Sequence, residues 1–238
     1  MFDTHCHLDD PRFDPDRDAL LARASDAGVV GVLVPGVIEA QWPRLRALAA
    51  HHGWRFGVGT HPQVLPESRA VPIDLTGASA IGECGLDGPT PVPMDEQEKV
   101  LEGHLALARE SGLPLILHCF RAHHRMLPLL RRWAPLRGVM HSYSGGPELV
   151  SDYVALGLHV SFAGPVTWEN ARKPVQALLR VPRERLLAET DAPDQCPRPH
   201  RGRSEPAYLV HVIDAMERLR GEELRDQLTA NAASLGWS

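Results

Sequence analysis

The chain has 238 residues, of which 43% are hydrophobic and 23% charged, and its net charge is −5. This length suits one large domain, and the charge excludes a protein that binds nucleic acid through an overall positive surface. Four widely spaced cysteines favour a reducing compartment. Because we find neither a signal peptide nor an apolar run as long as a membrane span, we expect a cytoplasmic protein without membrane contact.

Amphipathic helical stretches that end at glycine recur along the chain, and each precedes a short apolar run. In chain order, LLARASDAG precedes VVGVLV, RLRALAAHHG precedes WRFGVG, VLEGHLALARESG precedes LPLILH, LLRRWAPLRG precedes VMHS, and LVSDYVALG precedes LHVSF. Glycine suits the left-handed position after a helix. Short, nearly all-apolar runs are typical of parallel strands covered on both faces. The pattern therefore predicts repeated strand–helix units.

The opening segment and the runs SAIGE and RLLAE raise the number of predicted strands to eight. The strands are predicted to end near His7, Val34, Gly59, Glu83, His118, His141, Phe162 and Glu189. Their average spacing is about 30 residues, the size of a βα unit. We therefore predict an α/β fold, a single-domain (β/α)8 TIM barrel over residues 1–238. An open doubly wound sheet is the alternative.

Residue types that can bind metals stand at the ends of the predicted strands or directly after them. They are His5, His7, Glu83, His118, His141 and Asp191. In a parallel barrel, the carboxyl ends of the strands open on the face that carries the active site. A lone buried histidine is usually structural, but this many ligands on separate strand ends favours zinc, manganese or magnesium. Six ligands exceed the four of a structural zinc, so we predict two divalent cations bridged by Glu83.

The opening stretch FDTHCHLD places two of these ligands on either side of a cysteine. Alternate residues of a strand point the same way, so His5 and His7 can reach one metal while Cys6 points towards the helices. The same alternation applies to Cys84 beside Glu83, and to Cys119. We interpret these three cysteines as packing residues.

Seven stretches occur in a fixed order over essentially the whole chain: DTHCHLD, GTHP, IGECGLD, LPLILHC, HSYSGG, ETDAPD and RGRSEPAYL. With them the chain resembles the TatD family of metal-dependent deoxyribonucleases, which are amidohydrolase-like barrels. The resemblance implies one metal held by His5, His7, Glu83 and Asp191, and a second held by Glu83, His118 and His141. It also implies hydrolysis of phosphodiester bonds, mainly from a 3′ end, with single-stranded DNA and in some cases RNA as substrate.

For the catalytic step, we expect hydroxide held between the two metals to attack phosphorus in line. Asp191 would act as a ligand and accept the proton of the attacking water, and Glu83 would bridge the metals. The resemblance supports a hydrogen bond from His61 to the scissile phosphate. The alternative is a structural histidine fixed by Pro62.

Substrate contacts are predicted from the loops after the fifth and eighth strands. We expect Arg121 and one of Arg201 or Arg203 to contact phosphates, a solvated arginine-rich surface being the alternative. Ser144 in HSYSGG could contact the water shell of the second metal or simply form a turn. Trp168 could stack on a base, but we favour a packed loop tryptophan.

Three positions depart from the family pattern without affecting a predicted ligand. Phe120 stands where the family often has an arginine, Gly88 where it often has an aromatic residue, and His104 where a glutamine is common. A hydrolase of small esters, lactones or amides is therefore the alternative function. A non-catalytic relative is disfavoured because all six ligands are present, and GVGTHP lacks the third glycine of a dinucleotide site. No obligate protein partner is evident, and we expect a monomer.

Overall fold

Eight parallel strands form a barrel in the computed structural model, which describes residues 1–68, 71–72 and 74–238. Each strand pairs with the next one in the sequence. The strands are β1 (Phe2–Asp3), β2 (Gly31–Val34), β3 (Arg55–Val58), β4 (Ala80–Asp87), β5 (Leu115–Phe120), β6 (Gly138–Met140), β7 (Leu158–Phe162) and β8 (Leu186–Ala188).

Helices cover the outside of the strands. They are α1 (Arg17–Asp26), α2 (Trp42–His52), α3 (Met94–Ser111), α4 (His123–Trp133), α5 (Val150–Ala155), α6 (Arg172–Leu178), α7 (Leu209–Arg220) and α8 (Arg225–Ser234). The connection between β3 and β4 has a short 3-10 helix, Pro62–Val64, and no α-helix among its described residues. Two helices, α7 and α8, follow β8.

Helix α3 shows why these sequences become helices at these positions. Its buried stripe includes Leu101, His104 and Leu105, which lie three or four residues apart and face the sheet. The helix ends at Gly112, whose φ of 71° is the left-handed conformation that glycine adopts without steric cost. The prediction that every helix ends at a glycine is wrong for α4. This helix ends at Trp133, two residues before Pro135.

Backbone hydrogen bonds just beyond β1 and β8 close the barrel. Thr4 N–H donates to Ala188 O (3.3 Å), Asp191 N–H donates to His5 O (2.9 Å), and His7 N–H donates to Ala192 O (2.8 Å). The buried Asp3 carboxylate accepts the Thr190 hydroxyl at 2.6 Å. The predicted (β/α)8 barrel is therefore confirmed, and the alternative of an open doubly wound sheet is wrong.

The lower part of the barrel is filled by apolar side chains. One buried cluster contains a residue from each of six strands and three residues from the C-terminal segment: Phe2, Leu33, Ala80, Ile116, Val139, Leu187, Ala232, Leu235 and Trp237. Trp237 is fully buried, and its indole N–H donates to Ser79 O at 3.1 Å. The larger cluster packs the helices against the strands. This packing leaves the carboxyl ends of the strands as the open face.

Most predicted strand ends agree with the structure, but two differ. Strand β1 ends at Asp3, so His5 and His7 lie beyond the strand rather than in it. Strand β4 continues past Glu83 to Asp87. In the described residues, we find no helix that is long and apolar enough to cross a membrane.

Candidate metal centre

Glu83 lies at the centre of the open face and is only 2% exposed. Its Oε1 atom lies 3.2 Å from His61 Nε2, 3.0 Å from His118 Nδ1 and 2.8 Å from His141 Nε2. These three histidines come from the ends of β3, β5 and β6, which neighbour β4 or lie one strand further on. One carboxylate oxygen therefore faces three imidazoles.

The second oxygen of Glu83 faces a different group of ligands. Oε2 lies 3.3 Å from His5 Nε2 and 3.8 Å from His7 Nε2. Asp191 Oδ1 lies 3.6 Å and 3.5 Å from the same two nitrogens. Although β1 is too short to carry both histidines, their Nε2 atoms still lie 3.2 Å apart.

The chemistry of this donor set fits divalent cations. Three groups of ligand atoms lie within 4.8 Å of one another: His5, His7 and Glu83; His61, Glu83 and His118; and His5, His141 and Glu189. Imidazole nitrogens and carboxylate oxygens are the ligands that zinc and manganese take in proteins. Nitrogen atoms that face each other this closely, without a protein acceptor between them, are expected around a cation.

A hydrogen bond behind the cluster assigns the ring nitrogens of His118. His118 Nε2 lies 3.2 Å from Asp87 Oδ2, so this nitrogen carries the proton and Nδ1 offers a lone pair towards Glu83. His141 Nδ1 lies 3.4 Å from Glu189 Oε1, and its Nε2 faces Glu83 Oε1 at 2.8 Å. Carboxylate–histidine pairs of this kind orient metal ligands.

His61 has the opposite arrangement. Its Nδ1 accepts the Gln63 N–H at 3.2 Å. Burial lowers the pKa of His61, so the ring is neutral and its one proton lies on Nε2, the atom that faces the site. His61 therefore presents a hydrogen-bond donor to the site, whereas the contact with Asp87 turns a lone pair of His118 towards it.

Asp87 and Glu189 contact two of the candidate ligands, His118 and His141, and the sequence analysis did not select them. Asp87 also accepts the Gln63 side-chain amide at 2.7 Å, and Glu189 accepts the Ser142 N–H at 2.5 Å. The available signal was an additional carboxylate in each of two motifs, the last residue of IGECGLD and the first of ETDAPD.

Two buried carboxylates of the site are ionised near neutral pH. Although burial alone would raise the pKa of Glu83, the surrounding histidines hold it well below its usual range. Burial likewise opposes ionisation of Asp191, but its hydrogen bond with His7 and the nearby rings lower its pKa. Both carboxylates are therefore ionised. Burial lowers the pKa of His5, which keeps this ligand neutral.

A cavity of 510 Å³ opens above the cluster. His7, His61, Glu83, His118, His141 and Asp191 line its floor, while His5 is fully buried beneath it. The opposite side is largely apolar and includes Phe120, Phe162, Val166 and Trp168. Trp168 is 40% exposed, whereas we expected its side chain to be packed within a loop.

The predicted substrate residues do not all reach this cavity. Ser144 lines it, and its hydroxyl donates to Cys119 O at 3.4 Å. Among the described residues, Arg121, Arg201 and Arg203 lie outside the lining. Both terminal nitrogens of Arg203 donate to Asp16 at 2.7 Å. Both Arg201 and Arg203 are exposed, but the ion pair with Asp16 argues against a phosphate contact by Arg203.

Comparison with known proteins identifies the family. The family model described as TatD related DNase matches residues 2–235. The chain belongs to the TatD family. The 3'-5' ssDNA/RNA exonuclease TatD of Klebsiella pneumoniae (strain 342) is 36% identical to it, over 99% of this chain and 97% of the relative. The uncharacterized metal-dependent hydrolase YabD of Bacillus subtilis (strain 168) is 32% identical, over 99% and 98%.

A solved structure of the TatD family agrees with the fold. YJJV, a TatD homolog from Escherichia coli K12, superposes with a TM-score of 0.91 at 31% identity, and the match covers 99% of this chain and 97% of that one. The resemblance found in the motifs is therefore confirmed. The roles of the individual residues in this TatD protein stay predictions.

Proposed function

We propose that this protein is a metal-dependent phosphodiester hydrolase that removes nucleotides from the 3′ end of single-stranded DNA or RNA. The observation that carries the proposal is the shared carboxylate of Glu83, with histidines facing each of its oxygens on the floor of an open cavity. The printed names of the curated relatives, which include 3'-5' ssDNA/RNA exonucleases and a metal-dependent hydrolase, support the reaction class.

We assign two divalent cations to this site, zinc, manganese or magnesium. One would be held by His5, His7, Glu83 and Asp191, and the other by Glu83, His118 and His141. The two oxygens of Glu83 support this division because each faces its own group of imidazoles. The outward hydrogen bond of His118 to Asp87 supports it as well, because it leaves the inward nitrogen of His118 unprotonated.

When bound, such cations lower the pKa of a water molecule and neutralise charge on the phosphate. The residues of the chain supply the remaining functions. Asp191 is ionised and lines the cavity, so it can accept the proton of the attacking water. His61 Nε2–H can donate to the scissile phosphate. Donors placed in advance at a developing negative charge typically contribute several kcal/mol.

We further propose that residues 1–238 act as one hydrolase domain, without an obligate protein partner. An ester, lactone or amide of a small molecule is the competing substrate. The cavity opens to solvent, which supports a polymeric substrate.

The test is cleavage of single-stranded oligonucleotides labelled at either end, in DNA and RNA, with magnesium, manganese or zinc. A 3′-to-5′ exonuclease shortens the 5′-labelled strand stepwise and releases the 3′ label at once as a mononucleotide. Glu83→Gln should abolish cleavage. Glu110→Gln, at an exposed position on α3, is the matched control and should cleave normally. Binding of cations without cleavage of any nucleic acid would overturn the proposal.

A further inference from the structure

Two large aromatic side chains are exposed inside the cavity. Among the described residues, the exposed large hydrophobic side chains are Val30, Phe120, Trp168 and Leu179. Phe120 and Trp168, which are 38% and 40% exposed, both line the cavity above the metal centre. Exposed apolar groups that line a concave site mark a surface that contacts a ligand.

Phe120 has a defined position relative to the metal centre. It is the last residue of β5 and stands two residues after His118, so both side chains lie on the same face of the strand. Two residues of strand place the ring about 7 Å further towards the open end. At this position, where the TatD family often has an arginine, the chain offers a ring. The guanidinium of Arg121 lies 5.1 Å from the centroid of this ring.

Trp168 is held in place although its ring is exposed. It follows the 3-10 helix Gly164–Thr167, and its indole N–H donates to Cys196 O at 3.0 Å. The polar edge of the indole therefore has its partner within the protein, and the apolar face is left for the cavity. A fixed ring loses little conformational entropy when a flat ligand stacks on it.

We propose that Phe120 and Trp168 stack on unpaired nucleobases at the 3′ end of the substrate, while the metal centre holds the adjacent phosphate. This inference rests on the proposed nuclease function and specifies how that site selects its substrate. Stacking requires a free base face, which a duplex does not offer, and it tolerates every base because each has a π face. The aromatic pair therefore makes the site selective for single strands without selecting a sequence.

The experiment combines changes in the protein with changes in the substrate. Phe120→Ala and Trp168→Ala are assayed on a single-stranded oligonucleotide and on the same oligonucleotide with abasic residues at its two 3′-terminal positions. Each ring removed should lower kcat/KM on the normal strand by about 5- to 150-fold, the range for loss of one base–aromatic stack. On the abasic strand, the loss should be less than about twofold, since no base remains to stack.

Matched variants separate stacking from structural damage. Leu179→Ala removes an exposed apolar side chain outside the cavity and should leave kcat/KM on both strands unchanged. Phe120→Tyr and Trp168→Phe keep a ring and should retain most of the activity. Thermal unfolding of each variant checks that the protein is folded.

The outcomes distinguish this inference from the proposed function. Equal losses on the normal and the abasic strand would overturn the inference while leaving the nuclease in place. If the unaltered protein cleaves neither strand, the nuclease proposal fails. Binding of both oligonucleotides, measured by fluorescence anisotropy, then still decides the inference, because stacking requires tighter binding of the normal strand and equal affinities would overturn it.

Discussion

Replacing His104 by glutamine should make the fold less sensitive to acid. His104 is fully buried on α3. Its Nδ1–H donates to Val100 O at 2.8 Å, and its Nε2 accepts the Thr60 N–H at 3.2 Å. Because both ring nitrogens are used by the neutral form, a second proton would face the Thr60 donor. Burial lowers the pKa of His104 to about 4.

The size of the effect follows from this pKa. Histidine in an unfolded chain titrates near about 6.5. Since the folded pKa is lower, the unfolded state binds more protons between these two values, and the free energy of unfolding falls as the pH falls through this range. A shift of roughly 2.5 units corresponds to about 3 kcal/mol below pH 4, about 2 kcal/mol at pH 5 and almost nothing at pH 7.

The assay is urea unfolding of the cation-free protein from pH 7.5 to pH 5, because cation binding is itself pH-dependent. A glutamine amide can donate to Val100 O and accept from Thr60, so His104→Gln should fold at both pH values. The stability of the variant relative to the original should rise by about 2 kcal/mol between pH 7.5 and pH 5. His123 and His159, whose pKa values burial also lowers to about 4, are present in both proteins and cancel. A difference that does not change with pH would refute the reasoning.

Three further results are expected. Asp87→Asn should weaken cation binding about 10- to 100-fold in titration calorimetry, because His118 loses the anion that fixes its ring; unchanged affinity would contradict this. Glu189→Gln should have a similar effect through His141, and normal binding by this variant would show that the 3.4 Å contact is not needed. Arg201→Ala should lower the slope of log K for oligonucleotide binding against log salt concentration by about 1, the effect of losing one phosphate contact. Arg203→Ala should leave this slope unchanged, because the guanidinium of Arg203 is paired with Asp16. Equal slopes for both arginine variants would remove Arg201 from the interface.

Much of the fold could be predicted because its signals are local. The glycine after α3 and the apolar run of β5 each report on a few neighbouring residues, and six of the eight strand ends lie within two residues of the predicted positions. The exceptions arise from contacts that are distant in sequence. Strand β1 stops at Asp3, whose carboxylate accepts a hydrogen bond from the hydroxyl of Thr190, 187 residues later in the sequence.

The candidate site was predictable to the extent that its residues follow strands. The geometry of a parallel barrel brings His118 and His141 to one face, whatever the details of their loops. Asp87 and Glu189 were missed because their importance depends on which ring nitrogen they contact, which no spacing rule encodes. The pairing of Arg203 with Asp16 joins loops from opposite ends of the chain and could not be read from either loop alone.

The closure between β1 and β8 also sets the order in which the site can be completed. His5 and Asp191 stand on opposite sides of that closure, joined by the hydrogen bond from Asp191 N–H to His5 O. The site is therefore complete only after β8 has docked beside β1. Cations that bind only the complete site stabilise the closed barrel by mass action. Bound ions would therefore stabilise the contact between β1 and β8, and their release would favour unfolding that begins between these two strands.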